Sequence, residues 1–204
     1  MRGRLIGALA AGAALVSTAV LAGPAAAQDA TWSVDPGGPL NGTAGVTLLE
    51  IQESGIQLTC ETSTVAAVAQ SGTGLSNPIV TIPDGPGIQF NNCQGPFGLT
   101  FVVDHVGTWN LNAATYDAGT GVTTGTIDDI EANISGPGCE ATVTGSVNAS
   151  FTNDTDVLAV APDFTLLISY VDPANSCLGL INEGEHANFD GAYDITPGLT
   201  VTSP

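Results

Sequence analysis

Basic residues are nearly absent from this chain of 204 residues: Lys and Arg together number 2, against 20 Asp and Glu. Both arginines, Arg2 and Arg4, fall in the first four positions, so only His105 and His186 can supply a side-chain cation beyond them. Proteins that bind nucleic acid neutralise phosphates with Lys and Arg, and that class is excluded. The same lack removes arginine fingers, the P-loop lysine, Schiff-base lysines and guanidinium clamps for anionic substrates. Attraction to an anionic membrane surface fails for the same reason. Other signals are missing as well. There is no G-x-S-x-G nucleophile elbow, and Gly72-Thr-Gly-Leu-Ser76 is only a distant approach to one. There is no C-x-x-C pair, which argues against zinc. No window of a dozen residues carries a 3.6-residue apolar stripe, and no second hydrophobic span follows the first.

That first span opens the chain. Met1-Arg-Gly-Arg4 is a short positive segment, Leu5 to Ala22 is uncharged and rich in Ala, Leu and Val, and Ala25-Ala26-Ala27 offers the small residues that signal peptidase needs. The pattern predicts a secretory signal peptide over residues 1–27 and a single domain over 28–204. A retained membrane anchor is the alternative, since the uncharged run nearly spans a bilayer; Pro24 and the alanine-rich site argue against it. Leu21-Ala22-Gly23 begins a lipoprotein box, but Pro24 stands where the lipidated cysteine belongs, so lipid anchoring is not expected. The expected location is secreted and extracellular, with no membrane contact after cleavage. Export makes disulfides available.

Along residues 28–204 the apolar positions recur with a period of two. Examples are Ile56-x-Leu58-x-Cys60, Leu99-x-Phe101-x-Val103, Ile130-x-Ala132-x-Ile134, Phe164-x-Leu166-x-Ile168-x-Tyr170 and Phe189-x-Gly191-x-Tyr193-x-Ile195. Alternation of this kind marks strands with one buried face. Turn clusters separate them: Pro36-Gly-Gly-Pro39, Asp84-Gly-Pro-Gly87, Asp117-Ala-Gly-Thr-Gly121 and Gly136-Pro-Gly138. The expected fold is all-β, an antiparallel β-sandwich of about ten strands.

The four cysteines expose a duplication. Cys60-Glu61 precedes Thr64-Val65 as Cys139-Glu140 precedes Thr142-Val143, and Cys93 and Cys177 are each followed by a Gly-Leu segment, Gly98-Leu99 and Gly179-Leu180. Four cysteines allow three pairings. A duplicated unit with its own bridge selects disulfides Cys60–Cys93 and Cys139–Cys177.

A set of motifs spread over most of 28–204 resembles a family of small secreted actinobacterial, streptomycete-type proteins without an assigned activity. The motifs are Pro36-Gly-Gly38 with Gly42-Thr-Ala-Gly45, Leu58-Thr-Cys60, Cys93-Gln-Gly-Pro-Phe-Gly-Leu-Thr-Phe101, Trp109-Asn-Leu-Asn112, Tyr116-Asp117, Thr120-Gly-Val-Thr-Thr-Gly-Thr126, Ser135-Gly-Pro-Gly-Cys139 and Cys177-Leu-Gly-Leu-Ile181. The resemblance implies export, a β-rich fold and paired cysteines. It carries over no catalytic residue.

Several residues invite a chemical reading. His105 shares a strand face with Leu99, Phe101 and Val103, which favours a half-buried, hydrogen-bonded ring over a catalytic one. His186, in Asn182-Glu-Gly-Glu-His186, reads as a turn or surface histidine. Asp128-Asp129-x-Glu131 and Asp154-x-Asp156 are the densest acid clusters, and a glycosidase needs two carboxylates about 5–10 Å apart. Twenty acids in a chain of this length fall together by chance, and the chain has only 2 Trp. Asn153-Asp-Thr-Asp156 carries the D-x-D element of a calcium loop without the rest of that loop, so a plain hairpin turn is preferred and structural Ca²⁺ is the alternative. No catalytic, cofactor or metal residue is assigned. With no cation among them, the carboxylates are expected to titrate high and the fold to gain stability toward pH 5. The expected function is a non-enzymatic extracellular one, binding a ligand or protein partner or covering a surface, with divalent cations as further candidate partners. The alternatives are a small-molecule carrier with an apolar cleft and an acid-pair hydrolase.

Overall fold

The computed structural model describes residues 31–85 and 87–204. The predicted leader, 1–27, lies outside the described residues. The chain folds as an all-β, antiparallel, sandwich-like body with two disulfides. Its strands are β1 (Trp32–Asp35), β2 (Gly38–Ala44), β3 (Thr47–Ile51), β4 (Gln57–Ala69), β5 (Gly72–Leu75), β6 (Val80–Ile82), β7 (Ile88–Gln94) and β8 (Thr100–Val106). They continue through β9 (Trp109–Asp117), β10 (Val122–Gly136), β11 (Cys139–Thr152), β12 (Val157–Val160), β13 (Leu166–Ser176), β14 (His186–Thr196) and β15 (Thr200–Thr202). No described helix is long and apolar enough to cross a membrane.

Many of these segments join end to end into longer lanes. β2 and β3 pair with β4 in one register, Ala44 opposite Ser63 and Thr47 opposite Cys60, so they form one lane interrupted at Gly45-Val46. β6 and β7 likewise share β4 as neighbour, β8 and β9 share β10, and β12 and β13 share β11. Two of the interruptions carry Pro-Asp, at Pro83-Asp84 and Pro162-Asp163. Proline has no N–H to give a ladder, so a lane breaks there. At the second break the Asp163 carboxylate accepts from the backbone and side-chain nitrogens of Asn148 and from the Thr165 hydroxyl, which fastens the loop to β11.

Ladder bonds do not stop at either edge of this sandwich. Successive lanes β2/β3, β4, β6/β7, β8/β9, β10, β11, β12/β13 and β14 pair in order, and β14 returns to β2 and β3. The result is an up-and-down closure of eight lanes that leaves no free edge, a geometry wide enough to be filled by side chains or to hold one small ligand. A separate three-stranded sheet, β15-β1-β5, caps one end with Trp32, Val34, Leu199 and Val201 buried beneath it. The described residues form fifteen strands where about ten were expected, because four of the eight barrel lanes are each broken into two strands and a three-stranded cap is added.

Each half of the chain supplies four lanes, and in each the second and third lanes are joined by a cystine, Cys60–Cys93 and Cys139–Cys177, at the end opposite the cap. The turn after each bridge repeats too. Phe97 and Leu178 both have positive φ, 60° and 56°, each followed by a glycine near +70°, and both side chains are exposed. A bulky residue at positive φ is strained, and the strain occurs at equivalent places in the two halves.

Alternation holds along most lanes but slips in phase at the waist of the barrel. In β4 Cys60 and Ser63 both point inward with Glu61-Thr62 between them, and in β10 Ile127 and Ile130 do the same around Asp128-Asp129. The slip in β10 is a bulge, made with Asp129 at φ 59°, whereas β4 keeps its register with β2, β3 and β7 through Glu61-Thr62. Another register shift, opposite Thr142 and Val143, turns Tyr170 outward to 48% exposure, although its spacing from Leu166 and Ile168 had suggested burial.

Candidate functional site

Closing eight lanes with mostly small and branched inward residues leaves space along the axis. A cavity of about 80 Å³ lies at the centre, walled by Leu49, Leu58, Val103, Trp109, Ala132, Val143 and other apolar residues. Toward the cap a second cavity of about 70 Å³ shares Val65, Ile82 and Leu158 with the first. Toward the cystine end two smaller voids of about 20 Å³ each continue the series: the inner shares Leu49, Leu58 and Ile134 with the central cavity, and the outer is bordered by Leu178 and Leu180 of the cystine rim. Between these two voids stands Phe101, whose ring lies over Gly95 on one side and Gly136 on the other. A Cβ on either glycine would come within 2.5 Å of the ring, so only glycine leaves room for it.

The lining is apolar, and one buried hydroxyl without a partner lies in its wall. Thr47, 1% exposed, sits on β3, and its hydroxyl has no partner among the described residues. Tyr193 on β14 accepts a bond from the buried Ser63 hydroxyl at 2.8 Å, and burial pushes its phenol pKa well up, the Ser63 bond opposing. Phe90 and Phe189 meet edge to face across the same wall, centroids 5.8 Å apart. Trp109 is held by a bond from its indole N–H to the Val106 carbonyl, 3.2 Å.

His105 is half-buried, as its strand position predicted, but it is not hydrogen-bonded. Neither ring nitrogen has a partner among the described residues, and the ring stands edge-on to Trp109, centroids 4.6 Å apart. Burial lowers its pKa, the Asp84 carboxylate opposing. The ring packs against Trp109 and Gly87, neither of which carries a side-chain acceptor. His186 lies at the surface with Nδ1 3.0 Å from Glu53 Oε1.

The acid clusters serve the fold. Asp128 accepts from the Asn112 amide at 2.6 Å and the Thr126 hydroxyl at 3.0 Å, and Asp129 accepts from the Asn110 amide at 2.7 Å. In Asn153-Asp-Thr-Asp156, the Asn153 side chain donates to the Val201 carbonyl and accepts from its N–H, both at 2.9 Å, while Asp156 accepts from Leu199 N–H. The turn therefore fastens the cap strand β15. Among the described residues no three His, Cys, Asp or Glu side chains converge as a metal site would require. Two carboxylates, Glu53 and Asp117, are held below the usual carboxylate range rather than raised. Glu53 is lowered chiefly by the His186 bond and Asp117 by the Gly119 N–H. At these two sites local donors outweigh the repulsion between like charges.

The cysteines sit at the mouth of the barrel rather than in a reactive site, and all four are bridged. Two such bridges point to an oxidising compartment. Thr47, Ser63 and Tyr193 were not singled out by the sequence. Their signal was a hydroxyl at an inward phase: Thr47 keeps step with Leu49 and Ile51, and Tyr193 with Phe189 and Gly191. Ser63 is hidden by the phase slip just before it. Compared with known protein families, curated proteins and solved structures, the chain has no match.

Proposed function

We propose that this is an exported, non-enzymatic carrier that holds a small apolar molecule inside the barrel and admits it at the cystine end. The observation that carries the reading is the series of neighbouring apolar cavities along the axis of a closed barrel. The two larger spaces are separate, about 80 and 70 Å³, each about half the ~150 Å³ that accepts a benzene-sized guest, and well below the ~300–1,000 Å³ of a drug-sized site. Small size is therefore part of the proposal. The acid pairs are engaged by Asn and Thr donors, and His105 touches no nucleophile, so a hydrolase reading has no assembled set to rest on. Export is supported by the leader pattern and the cystines, and it accords with the resemblance to small secreted actinobacterial proteins. Outward residues such as Glu61, Asp104, Glu131 and Asp194 are charged while the interior is apolar. That is the reverse of a membrane-spanning barrel.

The test is titration of the disulfide-bonded protein with xenon or benzene, followed by methyl NMR. Ala132 and Val143 are expected to shift in a saturable way. Ala132→Leu, which puts its side chain into the central cavity, is expected to abolish the shift elsewhere in the lining with little loss of stability, because it fills space already present. Absence of any saturable response in the wild type would refute the carrier reading.

A further inference from the structure

We infer that the rim at the cystine end of the barrel is a docking surface for a protein partner that presents apolar side chains flanked by lysine or arginine. The inference concerns the outside of the mouth and does not rest on the carrier reading. Three turns meet at this end: residues 95–99 between β7 and β8, 137–138 between β10 and β11, and 177–181 between β13 and β14. None of them carries a charged, hydroxyl or amide side chain. Pro96, Pro137 and Leu178 border one small void, and a Cβ on Gly138 would lie 3.5 Å from Leu178 Cδ2, so the turns form a single apolar patch. Phe97 stands 86% exposed on it and Leu178 62%. Glycine would take their backbone angles, φ 60° and 56°, without strain and would expose no apolar surface, yet each half of the chain places a bulky side chain there. Strained residues of this kind cluster where a surface binds. Large apolar side chains held on stiff turns also lose little freedom when a partner covers them.

Charge selects the partner. Glu61 and Glu140 follow Cys60 and Cys139 directly and are exposed, and Glu53 and Glu183 stand exposed in the β3–β4 and β13–β14 loops of the same end. Among the described residues the one basic side chain there is His186, already 3.0 Å from Glu53. A second copy of this chain would bring like charges together around the patch. A phospholipid surface would meet these carboxylates with no cation to hold its phosphates. A protein with lysine or arginine around its own apolar residues satisfies both the patch and its border.

The experiment is an amide NMR titration of the disulfide-bonded protein with three short peptides of alternating sequence: leucine–lysine, serine–lysine and leucine–glutamate. The leucine–lysine peptide is expected to shift Phe97, Gly98, Gly138 and Leu178 saturably, and the other two to bind at least about tenfold more weakly. Phe97→Gly and Leu178→Gly should each weaken that binding by roughly three- to tenfold, the effect of removing part of a large apolar side chain from the contact. Both variants should melt no lower than wild type, because glycine relieves the positive φ and little packing is lost. Equal binding of the serine–lysine peptide, or shifts spread over the whole carboxylate surface, would reduce the effect to general charge attraction and overturn the inference. Rim amides that do not respond, glycine variants that bind like wild type, or variants that melt lower would overturn it too. Sedimentation and phosphatidylcholine-vesicle pelleting test the other occupants. Self-association or vesicle binding that is lost in Phe97→Gly would assign the rim to a second copy or to a bilayer, and either result overturns the protein partner. Xenon and benzene uptake is read separately, so the carrier reading stands or falls by its own titration.

Discussion

His105 is the residue whose surroundings make the sharpest demand. Its ring nitrogens are sealed from solvent without partners among the described residues, Trp109 presents its ring beside them, and the Asp84 carboxylate is the charge that opposes burial. Burial dominates, so the folded protein takes up the imidazole proton at lower pH than the unfolded chain, whose value lies near 6.5. Between those two values the unfolded state binds more protons. Stability from this residue is thus complete above about pH 6.5 and is lost as pH falls toward the folded value. Melting temperature should drop between pH 7.5 and pH 5.5 in the wild type and hold level in His105→Leu. This reverses the direction expected from composition, where only charge repulsion was visible. The sequence placed His105 on an inward face through its step with Phe101 and Val103, but it could not show that the facing wall lacks an acceptor.

At the scale of strands and turns, the period-two pattern was legible wherever a lane is regular, as over Leu58-Cys60 and Ile130-Ala132-Ile134. It failed at the burial phase slip of Glu61-Thr62 and at the Asp128-Asp129 bulge, whose positions depend on coordinated backbone in neighbouring lanes. Closure was also invisible, since the pairing of β14 with β2 and β3 joins opposite ends of the chain with no local signal. The duplicated cysteine unit was legible because it is written in identical short segments, and its consequence is a stiff mouth. Between the two cystines, Phe101 is the element that blocks the axial series of cavities. Phe101→Ala should merge the two outer voids and speed both entry and release of xenon or benzene, seen as faster exchange in NMR line shapes. Its stability cost should be about 3 kcal/mol, at the lower end for a truncated Phe because the ring is only part-buried. Unchanged exchange rates would mean that the guest enters elsewhere.

At the scale of the whole molecule, the dominant fact is a surface of carboxylates with no lysine or arginine among residues 5–204. Repulsion on such a surface acts over the Debye length, about 10 Å at 0.1 M salt and about 3 Å at 1 M. It opposes the compact state more than the expanded one, so screening should stabilise the fold. Raising NaCl from 10 mM to 500 mM at pH 7.5 should raise the melting temperature, by about 2–4 °C for each kcal/mol of repulsion relieved. Calcium separates screening from a site. Asp156 Oδ1 and Asn153 Oδ1 already accept from Leu199 and Val201, and one oxygen each of Asp128 and Asp129 accepts from Asn and Thr donors. A cation that took the Asn153–Asp156 turn through those engaged atoms would compete with the bonds that hold the cap strand β15. CaCl₂ and NaCl at equal ionic strength should therefore give the same melting temperature within a degree or so. A calcium shift well above the sodium one would place a cation site on this surface and return the Asn153–Asp156 turn to the ligand role that its spacing first suggested.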